Sequence, residues 1–157
     1  MRKFIVVRGH AGSGKTTFAK EKIKEFQNEY PQAQIYHLEN DMFLTDEAGI
    51  YTWSPKLLED AKRKVAREIK QAYKFALENK DRDVLIVLSN VSARTKELLS
   101  LKEQAAQNGF IFECFRMQNF FVSEHGVDEN TVIAMFIKVT NNKIEGEILI
   151  PPVNPMS

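Results

Sequence analysis

The stretch "VVRGHAGSGKTTFAK" (residues 6–20) decides how the chain is read, because an apolar run gives way within it to a helix-like one. Upstream, "KFIVVR" (3–8) is short, apolar and flanked by charge, as a buried parallel strand requires. Downstream, residues 15–29 set Phe18, Ile23 and Phe26 among lysines and glutamates, and Pro31 marks the end of that helix. The same alternation continues along the chain. Strands are expected at "AQIYHLE" (33–39), "DVLIVLSN" (83–90) and "FIFECFR" (110–116). Between Pro55 and Asn79, Leu58, Ala61, Val65, Ile69, Ala72 and Ala76 recur every three or four residues, forming one apolar helical stripe. "RTKELLSLKEQAAQNG" (94–109) reads as a helix stopped by Gly109. Asp128 caps another that is expected to run to about Ile137. "NKIEGEILIPP" closes the chain as a strand or hairpin.

Alternating strands and helices imply an α/β architecture, a mainly parallel central sheet with helices on both faces in three layers. In that arrangement ligands sit at the carboxyl ends of the strands. The polar stretches after residues 8, 38 and 88 should therefore share one cleft. The 157 residues are read as a single domain.

Gly9, Gly14, Lys15 and Thr16 satisfy G-x-x-x-x-G-K-[ST], the phosphate-binding P-loop pattern. By chance it arises in roughly one chain of this length in two hundred, and here it stands between a strand and a helix as it must. Residues Gly9, His10, Ala11, Gly12, Ser13, Gly14, Lys15, Thr16 and Thr17 are thus the expected nucleotide cradle. Its glycines let backbone N–H groups turn inward, and the helix beginning near Gly14 adds its positive end. Lys15 can reach the β and γ phosphates of ATP. The Thr16 hydroxyl is the expected metal ligand, completing a Mg²⁺ shell made otherwise of phosphate oxygens and water. The P-loop NTPase fold follows as the expected fold class.

Two further segments bear on the acceptor. "NDMFLTDEAGIYTWSPKLLEDA" supplies Asp41, Phe43, Gly49, Tyr51, Trp53, Pro55 and Leu58 (or Leu57), and "EHGVDENTVIAM" supplies His125, Gly126, Val127, Ile133 and Met135. With the P-loop, these segments resemble the polynucleotide-kinase-like branch of P-loop phosphotransferases, which includes 5′-hydroxyl kinase domains and zeta-toxin-like relatives. The resemblance spans about residues 1–137. It implies a kinase moving the ATP γ-phosphoryl to a hydroxyl, with the 5′-hydroxyl of a polynucleotide or a nucleotide-like molecule as favoured acceptor. Phosphoryl transfer needs a carboxylate to orient the hydroxyl and take its proton. Asp41, just past the second strand, is the candidate, with Glu39 as fallback, two residues away on the same side of an extended chain. Tyr51 and Trp53 are candidates to stack on the acceptor, or else to pack beneath the loop.

The sequence also departs from that pattern. Ser89 and Asn90 stand where relatives end the third strand with an aspartate. Only about nine residues separate the fourth strand from His125, so the lid is short, and Val122 falls on an arginine position. Arg94 and Arg116, each near a strand end or a helix start, are the candidates to replace that charge; each is otherwise a surface arginine. Phe120 and Phe121 form an apolar pair at the shortened lid, available to cover adenine, to pack inward or to meet a partner. Two alternatives stay open beside the polynucleotide kinase: a small-molecule kinase acting on a nucleoside, sugar or antibiotic, and a non-catalytic ATP-binding regulator.

A net charge of +1 provides no overall field for nucleic acid or membranes. Basic surface is local: Arg63, Arg67, Lys70 and Lys74 fall on one helical face, either as a track for backbone phosphates or as a solvated face interleaved with acids. No apolar run approaches a bilayer span, and glycine and lysine interrupt the opening segment before a signal-peptide core forms, so a cytoplasmic location is expected. The lone Cys114, within "FIFECF", reads as a buried, inert thiol. His10 and His37 are assigned no chemistry, His125 reads as part of a turn, and no Cys/His cluster has metal-ligand spacing.

Overall fold

A computed structural model describes residues 1–92, 94–121 and 126–152. Strand β1 (Arg2–Arg8) is followed by α1 (Lys15–Glu29), β2 (Gln34–Leu38), a 3₁₀ turn (Asn40–Phe43) and α2 (Pro55–Glu78). Then come β3 (Val84–Asn90), α3 (Thr95–Gln107), β4 (Ile111–Met117), α4 (Glu129–Asn141) and β5 (Ile148–Ile150). The sheet order is β2-β3-β1-β4-β5, every strand pairing within the sheet is parallel, and β1 lies at the centre with Val6 opposite Leu88 on one side and Cys114 on the other.

Alternation along the strands divides the core in two. Phe4 and Val6 join Ile86, Leu88 and Cys114 against Val65, Ile69, Ala72 and Ala76 of α2 and Leu98 and Ala105 of α3. Ile5 and Val7 join Leu85, Val87 and Phe115 against Ala19 and Phe26 of α1 on the other face. The α2 stripe is buried from Ala61 to Ala76 as its spacing predicts, with Leu58 half-buried, and the start of the helix is fixed by Pro55 in the first turn and by the Ser54 hydroxyl, which accepts from the Leu57 amide at 3.1 Å. Cys114 is free and buried, and burial pushes its thiol up to about 12.

Two boundaries differ from the sequence reading. Helix α4 starts where Asp128 caps it, accepting from Thr131 at 2.7 Å, but continues to Asn141 because Val139 is still buried. The closing segment forms no described hairpin; its three-residue strand pairs in parallel with β4, Phe115 opposite Ile148.

Candidate active site

β1 ends at Arg8, and the chain turns through residues 9–14 into α1 at the carboxyl edge of the sheet. Gly9 takes φ +156°, and a Cβ there would lie 2.5 Å from Ser13 Oγ and 3.0 Å from the Met117 carbonyl. Gly14, at the N-cap of α1, is left-handed at φ 94°, and no side chain caps the helix. The first amides of α1, from Lys15, Thr16 and Thr17, are therefore left without side-chain caps beside a turned-in loop, the arrangement that suits an oxyanion.

The polar ends of three strands meet this loop. On β2, Ile35 belongs to the α1 side of the core while Leu38 belongs to the α2 side. Strand alternation therefore turns His37 and Glu39 toward α1. Glu39 accepts a hydrogen bond from the Thr16 hydroxyl at 3.0 Å, and His37 Nε2 lies 3.2 Å from the same carboxylate oxygen. Burial alone would raise the Glu39 pKa, but His37, Thr16 and the Lys15 charge outweigh it and hold the carboxyl below its ordinary value.

After Glu39 the chain curls instead of staying extended, so Asp41 departs from the face that Glu39 occupies. The expectation that the two acids share one side of an extended segment is corrected on that ground. The curl is pinned from β3, where Asn90 Oδ1 accepts from the Asn40 amide at 2.8 Å. Thr45 Oγ1 donates to the Asp41 carbonyl at 2.9 Å, and the Tyr51 hydroxyl donates to the Asp41 side chain. Tyr51 is therefore committed to orienting Asp41. Trp53 is 55% exposed at the rim, which rules out the alternative of packing beneath the loop.

Lys15 Nζ donates to the His10 carbonyl at 2.8 Å. Burial lowers its pKa from 10.5 to about 8, opposed first by Asp41 and then by Glu39. The lysine thus feels both carboxylates across the mouth of the sheet. Ser89, adjacent to the end of β2 through the Leu38–Leu88 pairing, has a buried hydroxyl without a described hydrogen-bond partner.

The two candidate arginines do not join this group. Arg116 faces the α2 side, beside its register partner Arg8. Both arginines close on Glu147: Arg8 Nη1 at 2.8 Å and Arg116 Nε at 3.3 Å, with all three side chains at most 6% exposed. Arg8 further donates to the carbonyls of Ser92 and Asn142. A buried ion triad holds Arg116, and the expectation that it serves the migrating phosphoryl is corrected for that reason. Arg94 lies exposed at the start of α3, 3.5 Å from Glu97.

Sequence reasoning missed how the segment after β4 seats on the loop. Phe121 N donates to the Gly12 carbonyl at 2.8 Å, Asn119 Nδ2 donates to the Ser13 carbonyl at 3.1 Å, and His10 Nε2 donates to the Asn119 carbonyl. His10 is buried, with its ring stacked on Phe120 at 4.2 Å and edge-on to Phe136 at 5.3 Å. Burial lowers its pKa against the pull of the Asn119 carbonyl. His10 therefore anchors the segment that follows β4, a role that its place within a variable loop position did not signal. Val122 and His125 lie outside the described residues.

A strand, a glycine loop turned into a helix, and a parallel sheet carrying helices on both faces define an α/β P-loop protein of the kinase-type fold. Solved structures agree. Kti12 of Chaetomium thermophilum in complex with ADP-AlF3 superposes at a TM-score of 0.63 with 12% identity, over 94% of this chain and 88% of that one. A chain of the Pnkp1/Rnl/Hen1 RNA repair complex gives 0.58 at 16% identity, over 90% of this chain and 45% of that one. The Mycobacterium tuberculosis APS kinase CysC in complex with AMPPNP and APS gives 0.50 at 15% identity, over 99% and 85%. No family profile matches the sequence. The chain belongs to the family of the uncharacterized protein PM0531 of Pasteurella multocida (strain Pm70), to which it is 38% identical over 157 residues, all of this chain and 87% of the relative. Among the described residues, no helix is long and apolar enough to cross a membrane.

Proposed function

We propose that the protein is an ATP-dependent phosphotransferase whose acceptor is a hydroxyl, with the 5′-hydroxyl of a polynucleotide favoured. The observation that carries this reading is the electrostatic facing of Lys15 and Asp41 across the mouth of the sheet. A cation suited to the phosphate tail and a carboxylate suited to the incoming hydroxyl are then close enough for the charge of one to bear on the other. Support for the fold's capacity comes from neighbours solved with ADP-AlF3 and with AMPPNP and APS.

In this reading the amides of residues 9–17 and Lys15 bind the phosphates. Asp41, held by Tyr51, accepts the acceptor's proton as the acceptor oxygen bonds to the γ-phosphorus and the bond from that phosphorus to the β-bridging oxygen breaks, releasing ADP. The Thr16 hydroxyl donates its hydrogen to Glu39 and keeps its lone pairs for a cation, so the donor set fits Mg²⁺. Bound there, Mg²⁺ would neutralise charge on the β and γ phosphates. Exposed Trp53, and the exposed basic face of α2 that carries Arg63, Arg67 and Lys70, favour a polynucleotide over a small acceptor.

A second reading, an ATP-binding regulator without transfer, draws on the burial of Arg116 with Glu147, which removes one of the two arginines expected to meet the phosphoryl group. Incubation with γ-labelled ATP, Mg²⁺ and separate pools of oligonucleotides, nucleosides and cell extract distinguishes these readings. Label in the oligonucleotide pool supports the proposal, label in a small-molecule pool corrects the acceptor, and ATP binding with no labelled pool establishes the regulator.

A further inference from the structure

We infer that Glu39 is the carboxylate that anchors the metal shell, taking from the second strand the place that Ser89 leaves uncharged on the third. The inference rests on the nucleotide-binding reading above and assigns a different task to each of the two acids at the mouth.

A divalent cation at a phosphate loop draws on a loop hydroxyl and on a strand-end carboxylate that orients its waters. The hydroxyl here is Thr16. Its hydrogen is already given to Glu39 at 3.0 Å, which fixes the rotamer and points the oxygen lone pairs away from the carboxylate. His37 Nε2 lies 3.2 Å from the same carboxylate, on the α1 face of the same strand. On β3, the next strand, the residue alongside is Ser89, whose hydroxyl is buried and has no described partner. A hydroxyl left in that state beside a carboxylate suits a water bridging the two, the role a metal-bound water would fill. Asp41 has a different task. It lies in the 3₁₀ turn and accepts from Tyr51, whereas the Thr16 hydroxyl donates to Glu39. One carboxylate therefore serves the cation and the other serves the acceptor. Ser89 then marks a relocated charge and not a lost one.

The test measures nucleotide affinity with and without metal, using a fluorescent ATP analogue in Mg²⁺ or in EDTA, on variants whose folding is checked by melting temperature. Wild type should bind more tightly in Mg²⁺. Glu39→Gln should keep its affinity in EDTA and lose the metal-dependent gain by about tenfold or more. The double variant Glu39→Gln with Ser89→Asp should recover most of that gain, because the charge returns on the neighbouring strand. Asp41→Asn should retain the metal-dependent gain. A folded Glu39→Gln protein with the full Mg²⁺ effect overturns the inference, and so does a folded double variant that stays insensitive to metal. Failure of wild type to bind the analogue in either buffer instead removes the nucleotide-binding reading on which the inference stands.

Discussion

Replacing Lys15 by methionine should stabilise the nucleotide-free protein while destroying its affinity for ATP. Burial lowers the Lys15 pKa from 10.5 to about 8, so the charged form is disfavoured in the folded chain even with Asp41 and Glu39 nearby. At about 1.4 kcal/mol per pH unit, that difference costs about 3 kcal/mol of folding free energy at neutral pH. Methionine has a similar length and no charge, but it forfeits the hydrogen bond to the His10 carbonyl, worth about 1 kcal/mol. The net gain is about 2 kcal/mol, or a rise in melting temperature of about 4–8 °C for a chain of this size. The sign of the pH dependence follows from linkage. Because the folded-state pKa is depressed, the folded protein holds fewer protons than the unfolded chain between about pH 8 and 10.5. Wild-type stability should therefore gain from this group as pH rises through that window, and the advantage of methionine should shrink there. Thermal melts of both proteins at pH 7 and pH 10 test this, with ATP added in a parallel series. A Lys15→Met protein that melts lower than wild type at pH 7 refutes the argument that the site holds a costly buried charge for a ligand.

Four other variants separate the roles assigned above. Gly9→Ala should cost about 1–3 kcal/mol, since its Cβ would meet Ser13 Oγ at 2.5 Å and a backbone carbonyl at 3.0 Å; Gly49→Ala, at φ +83° with nothing within 4 Å, should cost about 1–2 kcal/mol from backbone strain alone. Chemical denaturation compares the two, and an ATP-dependent rise in stability should be lost only in the first. Glu147→Ala strands Arg8 and Arg116 in the interior and should cost about 3–5 kcal/mol by the same measurement. Arg67→Ala with Lys70→Ala should lower the slope of log KM against log salt by about 1–2 for an oligonucleotide acceptor, and an unchanged slope would point to a small acceptor.

The fold was largely legible because its signals are local. Apolar runs at 3–8, 83–90 and 110–116 became neighbouring strands, and the spacing from Ala61 to Ala76 became the buried side of α2. The loop glycines adopt the positive φ angles that their pattern demands. What escaped depends on contacts between distant segments. Nothing near Arg116 announces that Glu147 will bury it, since their meeting requires β5 to return beside β4. His10 gains its place only when Asn119, Phe120 and Phe136 close on it from the other end of the chain. Glu39 was readable as an acid at a strand end. Its bond to Thr16 follows from the alternation that sends Leu38 to one face and His37 and Glu39 to the other.

The most direct measurement compares wild type and Asp41→Asn for transfer of label from γ-labelled ATP to a 5′-hydroxyl oligonucleotide, with ATP affinity determined on the same preparations. The account predicts labelled oligonucleotide with wild type, and at least a hundredfold slower labelling by the variant at nearly unchanged ATP affinity. Equal labelling by both proteins would contradict it, because the carboxylate that faces Lys15 would then have no part in the reaction.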